Sequence, residues 1–104
     1  MTEARKKFAE LKERAAQISD TELDDFWATL APAPIEFMIG EWAGGEASLW
    51  MEEFRGEVTA SMVYDGRPVH DHFKVVDENA VIGIMNGKGA LDGARHLYFY
   101  LERV

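Results

Sequence analysis

The sequence predicts a single α+β domain, with N-terminal helices followed by a curved antiparallel β-meander. Three observations carry that reading. Apolar side chains recur at three- and four-residue spacing in the first 39 residues, they alternate at spacing two further on, and turn-forming pairs punctuate the second part at hairpin intervals. Residues 1–39 are therefore read as a helical part and 40–104 as the sheet. A chain of 104 residues buries roughly 65% of its unfolded surface, enough for one core and too little for two.

Composition narrows the function classes. At 47% hydrophobic and 29% charged residues the chain is too apolar for wholesale disorder. The absence of cysteine removes disulfides, thiolate nucleophiles and thiolate metal ligands. Behind Met1-Thr2-Glu3-Ala4-Arg5-Lys6-Lys7 stands no apolar stretch, and no run approaches about 18 apolar residues. The expected location is cytoplasmic. Net charge is −8, yet residues 1–16 hold five basic against three acidic side chains. An acidic body repels phosphate, so neither nucleic acid nor membrane is an expected partner. The basic first helix suits either docking on that body or a solvated face.

In chain order, Ala4, Phe8, Leu11, Ala15 and Ile18 form one stripe of an amphipathic helix, too narrow to be stable alone. Ser19 and Glu22 stand at capping-box spacing and open a second helix whose apolar face is Leu23, Phe26, Trp27 and Leu30. Ala31-Pro32-Ala33-Pro34 ends it. Pro34 suits the first turn of a short helix running through Met38, with Gly40 at its end.

Gly40-Glu41-Trp42-Ala43-Gly44 then resembles the Gly-x-Trp-x-Gly signature of the GXWXG-domain proteins, and the Gly-x-Trp entry to the first strand of lipocalin-like and nitrobindin-like barrels. Phe54-Arg55-Gly56, the stretch 58–64, Pro68-Val69-His70-Asp71-His72-Phe73, Val76-Asp77, Gly83 and Asn86-Gly87-Lys88-Gly89 are similar to the domain of unknown function that usually follows the GXWXG domain. The long segment normally between the two parts is shortened here to residues 46–50. The resemblance implies a lipocalin-like β-barrel architecture and no assigned activity. Physically, Trp42 fills one end of a small core, and its flanking glycines let backbone approach the ring.

The turns set an expected register. Asp65-Gly66 favours a two-residue hairpin in which Met62 faces Val69, Ala60 faces Asp71 and Val58 faces Phe73. A second turn at Asp77-Glu78-Asn79, with Val76 opposite Val81, sets Val75 against Ile82, Phe73 against Ile84 and Asp71 against Asn86. One face then reads apolar except for Asp71 and Asn86. His70, His72 and Lys74 fall on the other, polar face, with His72 opposite Met85 and Lys74 opposite Gly83. A final strand over residues 96–103 is apolar on both sides, which calls for helices on one face and another subunit on the other. Four strands, or five with one over residues 48–54, are few for closing a barrel, so a homodimer is expected to complete it.

On this register Asp71 is a carboxylate in an apolar face beside Asn86. It serves either to fix the fold through hydrogen bonds or as a proton-transfer group with a raised pKa. Asp71, Asn86 and Tyr64, with Tyr98 and Tyr100, would line a small cavity together with Met38, Trp42, Met62 and Phe73, the usual form of a small-molecule site. His70 and His72, two apart on a strand, point the same way; they suit a surface or interface role, acid–base participation, or a shared metal or haem edge. No metal or other cofactor is favoured, haem being the minor alternative. Glu52-Glu53 reads as solvated, and Asn86-Gly87-Lys88-Gly89 as a flexible connection without Walker spacing. The function expected is binding of an apolar or aromatic small molecule on the Asp71 face. The alternatives are an isomerase or cyclase using Asp71 as general acid or base, and haem or metal binding through His70 or His72.

Overall fold

The computed structural model describes residues 3–14, 18–38, 48–63, 69–87 and 97–103. Its elements run α1 (Glu3–Arg14), α2 (Asp20–Thr29), β1 (Ala31–Pro32), α3 (Ile35–Met38), β2 (Ser48–Phe54), β3 (Glu57–Val63), β4 (Val69–Asp77), β5 (Ala80–Gly87) and β6 (Leu97–Glu102). Strands β2 to β6 lie in chain order in one antiparallel sheet, and β1 pairs with β4 off that path. The sheet is open, with β2 and β6 at its ends. The α+β class and the helices-then-meander order agree with the sequence reading.

Both faces of the sheet are covered. On one, Phe8 and Leu11 of α1 and Phe26 and Trp27 of α2 pack with Leu30 against Val76, Ala80, Ile82 and Ile84. On the other, Ala33 and Met38 pack against Ala60, Phe73 and Val81, with Phe99 and Leu101 alongside. On the final strand Phe99 and Leu101 are partly buried against this second cluster, while Leu97 and Tyr100 remain exposed.

Local chemistry explains the elements. Ser19 caps α2, its Oγ accepting from the Glu22 amide at 3.2 Å. The turn between β2 and β3 is two residues, Arg55 and Gly56, with φ of 52° and 83°, as a type I′ hairpin requires. Basic α1 docks on the acidic body: Arg5 reaches Asp77 at 3.0 Å, Lys12 reaches Glu102 at 3.3 Å, and Arg14 reaches Glu22 at 2.6 Å. Hydrogen bonding to the Arg14 guanidinium holds the Glu22 carboxyl below the usual carboxylate range. A carboxylate lowered in the folded state contributes stability above its unfolded pKa and loses it as pH falls through the folded value. Protection factors of the amides in residues 3–14, corrected for intrinsic exchange, should therefore fall ahead of those in the sheet as pH drops below the unfolded carboxylate value of about 4.3.

Beneath Phe99, Gly83 of β5 leaves room for the ring: a Cβ there would stand 2.7 Å from the ring's Cε2. The Phe99 ring in turn meets Phe73 edge-on at 5.8 Å. Gly83→Ala should cost about 1–3 kcal/mol through this overpacking, measured by urea denaturation.

Between β3 and β4 the sheet is split. Among the described residues the two strands pair only at Ser61–His72, Met62–Asp71 and Val63–His70. Beyond that point β1 takes the place beside β4, Ala31 pairing with Val75 and Pro32 with Lys74. Thr59 fills the gap with one hydroxyl: it accepts from the Ala33 amide at 2.8 Å and donates to the Phe73 carbonyl. The Ala60 amide completes the seam on the Ala33 carbonyl at 2.8 Å.

The expected registers are both corrected. Pairing of β3 with β4 lies two residues from the Asp-Gly register, so Met62 faces Asp71 rather than Val69, and the expected pairs Ala60–Asp71 and Val58–Phe73 are not made. A slip of two keeps every side chain on its face. At the next turn Asp77 pairs with Ala80, in the phase expected, but a bulge at Val76 then shifts the ladder so that Val75 pairs with Val81. An odd shift reverses β5. Ile82, Ile84 and Asn86 join the face of Lys74, His72 and His70, and Asp71 pairs with Met85.

Candidate functional site

The polar group that the reversed register assembles lies on the face under the helices. It stands at the sheet end formed by Ser61 and Val63 of β3, His70 and His72 of β4 and Asn86 of β5, with Glu52 of β2 joining from one side. The alternation of β2 is fixed by the Arg55-Gly56 turn, which pairs Phe54 with Glu57 and so puts Trp50, Glu52 and Phe54 on this same face.

His72 is its buried centre, with 3% of its surface exposed. Ser61 Oγ lies 2.7 Å from His72 Nδ1 and itself donates to the Thr59 carbonyl at 3.2 Å. The hydroxyl proton being committed, Nδ1 carries the hydrogen and Ser61 accepts it. Nε2 is then the lone-pair nitrogen, and Asn86 Nδ2 donates to it at 3.1 Å. Both ring nitrogens of His72 are thus engaged inside the protein. Phe54 stacks on the imidazole with centroids 4.2 Å apart and planes at 13°, and Trp27 of α2 meets Phe54 edge-on at 6.0 Å.

Glu52 and His70 form the accessible part. Glu52 Oε1 lies 2.8 Å from His70 Nδ1 and 3.9 Å from His72 Nδ1, and the side chains of Glu52 and His70 are 28% and 42% exposed. A carboxylate only accepts, so Nδ1 of His70 points its hydrogen at Glu52 and a neutral ring keeps a lone pair on Nε2. Trp50, on the same face two residues from Glu52, is exposed. Further along β4, Lys74 is fully buried; its ammonium pairs with Glu57 and donates to the Trp27 carbonyl at 3.1 Å, a cation placed at the C-terminal end of α2.

The expected site residues divide between the faces. Asp71 is buried, on the face of Met38, Met62 and Phe73, between the backbone partners Met62 and Met85. Asn86 is not beside it but hydrogen-bonds His72 on the opposite face. Tyr98 and Tyr100 also leave the Asp71 group: Tyr98 bonds Asp24 and Arg55, and Tyr100 meets Phe8 of α1 at 5.3 Å. Burial, and donation to Asp24, push the Tyr98 phenol well above its ordinary value. Trp42 and Tyr64 lie outside the described residues. His72 and Lys74, expected on a polar outer face, are buried, while His70 is half-exposed. Glu52, read as solvated, is the residue the sequence reasoning missed. Its signal was present: the Arg55-Gly56 turn alone would have put it opposite Thr59, on the histidine face.

An imidazole held by a carboxylate, backed by a second, fully engaged imidazole, can bind a polar group and move a proton. Among the described residues no cluster of three or more His, Asp or Glu side chains is placed to hold a metal, and no helix is long and apolar enough to cross a membrane.

Fold and site together define a small α+β domain with an open antiparallel sheet and a polar cluster under its helices. The family described as Domain of unknown function (DUF4334) matches residues 45–103, and the chain belongs to it. That match begins after Gly40-Glu41-Trp42-Ala43-Gly44 and carries nothing about this motif. A crystal structure of a protein from Thermomonospora curvata is similar at a TM-score of 0.81 and 24% identity, with 99% of each chain covered; the likeness is one of fold. No curated protein matches the chain.

Proposed function

We propose that this domain binds a small molecule, apolar or aromatic in body and polar at one end, on the histidine face of the sheet. Trp50 offers the aromatic surface, and Glu52 and His70 offer the polar anchor. The supporting observation is the wiring of His72: a buried imidazole held by Ser61, Asn86 and Phe54 beside a partly exposed carboxylate–imidazole pair. A buried polar network is costly unless every member is satisfied, and this one stands against its partly exposed neighbours, with Glu52 Oε1 3.9 Å from His72 Nδ1 and the two imidazole centroids 6.4 Å apart. Asp71, expected to head such a site, supports it less well, since its partners across the sheet are two methionines and Asn86 faces away from it.

The test is an NMR screen of the intact protein with aromatic acids, phenols and ketones. Shifts centred on the Trp50 indole, His70 and Asn86 are expected; shifts centred on Met38, Met62 and Phe73 would return the site to the Asp71 face. Haem is the weaker reading, because both nitrogens of His72 are engaged and His70 alone offers one. A lipocalin-like closure through a homodimer belongs to the same proposal: Met51 on one end strand and Leu97 and Tyr100 on the other are exposed and suit pairing with a second copy. Sedimentation at twice the 11.8 kDa chain mass is the expected result, and a cytoplasmic setting accords with the lack of cysteine.

A further inference from the structure

We infer that Glu52 and His70 form a general-base dyad, His70 Nε2 removing a proton from carbon in a planar, conjugated small molecule laid against Trp50. The inference rests on the binding reading above. The geometry has three parts. Glu52 Oε1 at 2.8 Å from His70 Nδ1 fixes the ring orientation and leaves the lone pair on Nε2. Among the described residues nothing bonds Nε2, and the side chain is 42% exposed, so this lone pair meets whatever enters. Trp50 stands on the same face beside the dyad, exposed and able to stack a flat ligand.

The alternative chemistry, attack by a nucleophile that His70 or His72 activates, does not fit. Ser61, the hydroxyl next to an imidazole, is fully buried and bonded on both sides. A base that acts directly on substrate is what remains. As a partly exposed hydrogen bond the dyad contributes little to stability.

In the step itself the C–H bond breaks, its proton goes to His70 Nε2, and its electron pair enters the conjugated system. The imidazolium formed is balanced by Glu52. Return of the proton to a different atom of the same molecule completes an isomerisation, with no oxidant, reductant or co-reactant.

The probe is 5-nitrobenzisoxazole, a flat C–H acid. Loss of its ring proton to the base turns the C–H pair into the π bond of a nitrile, while the N–O bond breaks and oxygen leaves as a coloured phenolate. The intact protein should convert it about 100-fold faster than free imidazole at equal concentration. H70Q should fall to the imidazole-free background while keeping the wild-type melting curve. Trp50→Ala should raise KM and leave kcat, the signature of lost stacking. Glu52 is a positioning residue, so Glu52→Ala should slow turnover about tenfold and move the His70 proton from Nδ1 to Nε2 in nitrogen-15 spectra. A rate equal to free imidazole, or an H70Q rate equal to wild type, overturns the inference. Probe-induced shifts at Trp50 without turnover overturn the dyad and leave the binding site standing; no binding by any screened ligand removes the binding reading itself.

Discussion

Thr59→Val lowers the stability of this domain by about 2–5 kcal/mol, out of proportion to a change that keeps the side chain's shape. The one hydroxyl bonds both the Ala33 amide and the Phe73 carbonyl. Valine leaves both backbone groups buried and unpaired, and each such loss costs about 1–3 kcal/mol. Thr59→Ser is the control. It keeps the hydroxyl and gives up one methyl, about 1 kcal/mol. Urea denaturation that ranks the two variants together would show that the hydroxyl does not hold the seam.

Trp27→Ala costs about 3–5 kcal/mol, as expected for the truncation of a large core aromatic, and also disturbs the candidate site. Trp27 is 2% exposed. Its ring meets Phe54 edge-on, Phe54 stacks on His72, and the Lys74 ammonium stands 5.2 Å from the indole. Removing the indole frees Phe54 to tilt, and the imidazole loses its stacking partner. The prediction is therefore double: a lower denaturation midpoint, and a shift of the His72 ring resonances although His72 lies on a different element. Trp27→Phe should recover most of the stability and most of the shift. Unchanged His72 resonances in Trp27→Ala would separate the core from the site.

The parts of this fold that were legible in the sequence are those set by local chemistry. Ser19 has the spacing of a cap and caps α2; Phe26, Trp27 and Leu30 fall on one apolar face and are buried together. Strand extents were likewise readable, because alternation over 58–63 and 69–75 follows a period of two. Face membership in β3 and β4 survived an error in register, since a slip of two leaves the pleat unchanged. The bulge at Val76 was not readable. Val75 and Val76 are both apolar and are followed by a well-formed turn, so nothing marks which of them is the extra residue. That one residue carried Asn86 and both β5 isoleucines to the other face, and the site with them. Asp71 looked important because its expected neighbour was Asn86; the true neighbour of Asn86 is His72. The strand β1 was also invisible, because Ala31-Pro32-Ala33-Pro34 reads as a helix terminator and its pairing partners lie more than 25 residues away.

The seam has a consequence for the route by which the chain reaches this structure. Strands β2 to β6 are joined in sequence order, so each ladder closes between neighbours and at small loop-closure cost. The Ala31–Pro32 segment cannot enter until β3 and β4 exist, because it occupies the gap between them and is held by groups on both. The expected order of assembly is therefore a meander first, then insertion of the segment that ties the helices down. In pulsed hydrogen exchange during refolding, the β4–β5 amides should gain protection before the Ala33 amide. A Thr59→Val chain should form its meander at nearly the wild-type rate and lose its helices faster on unfolding.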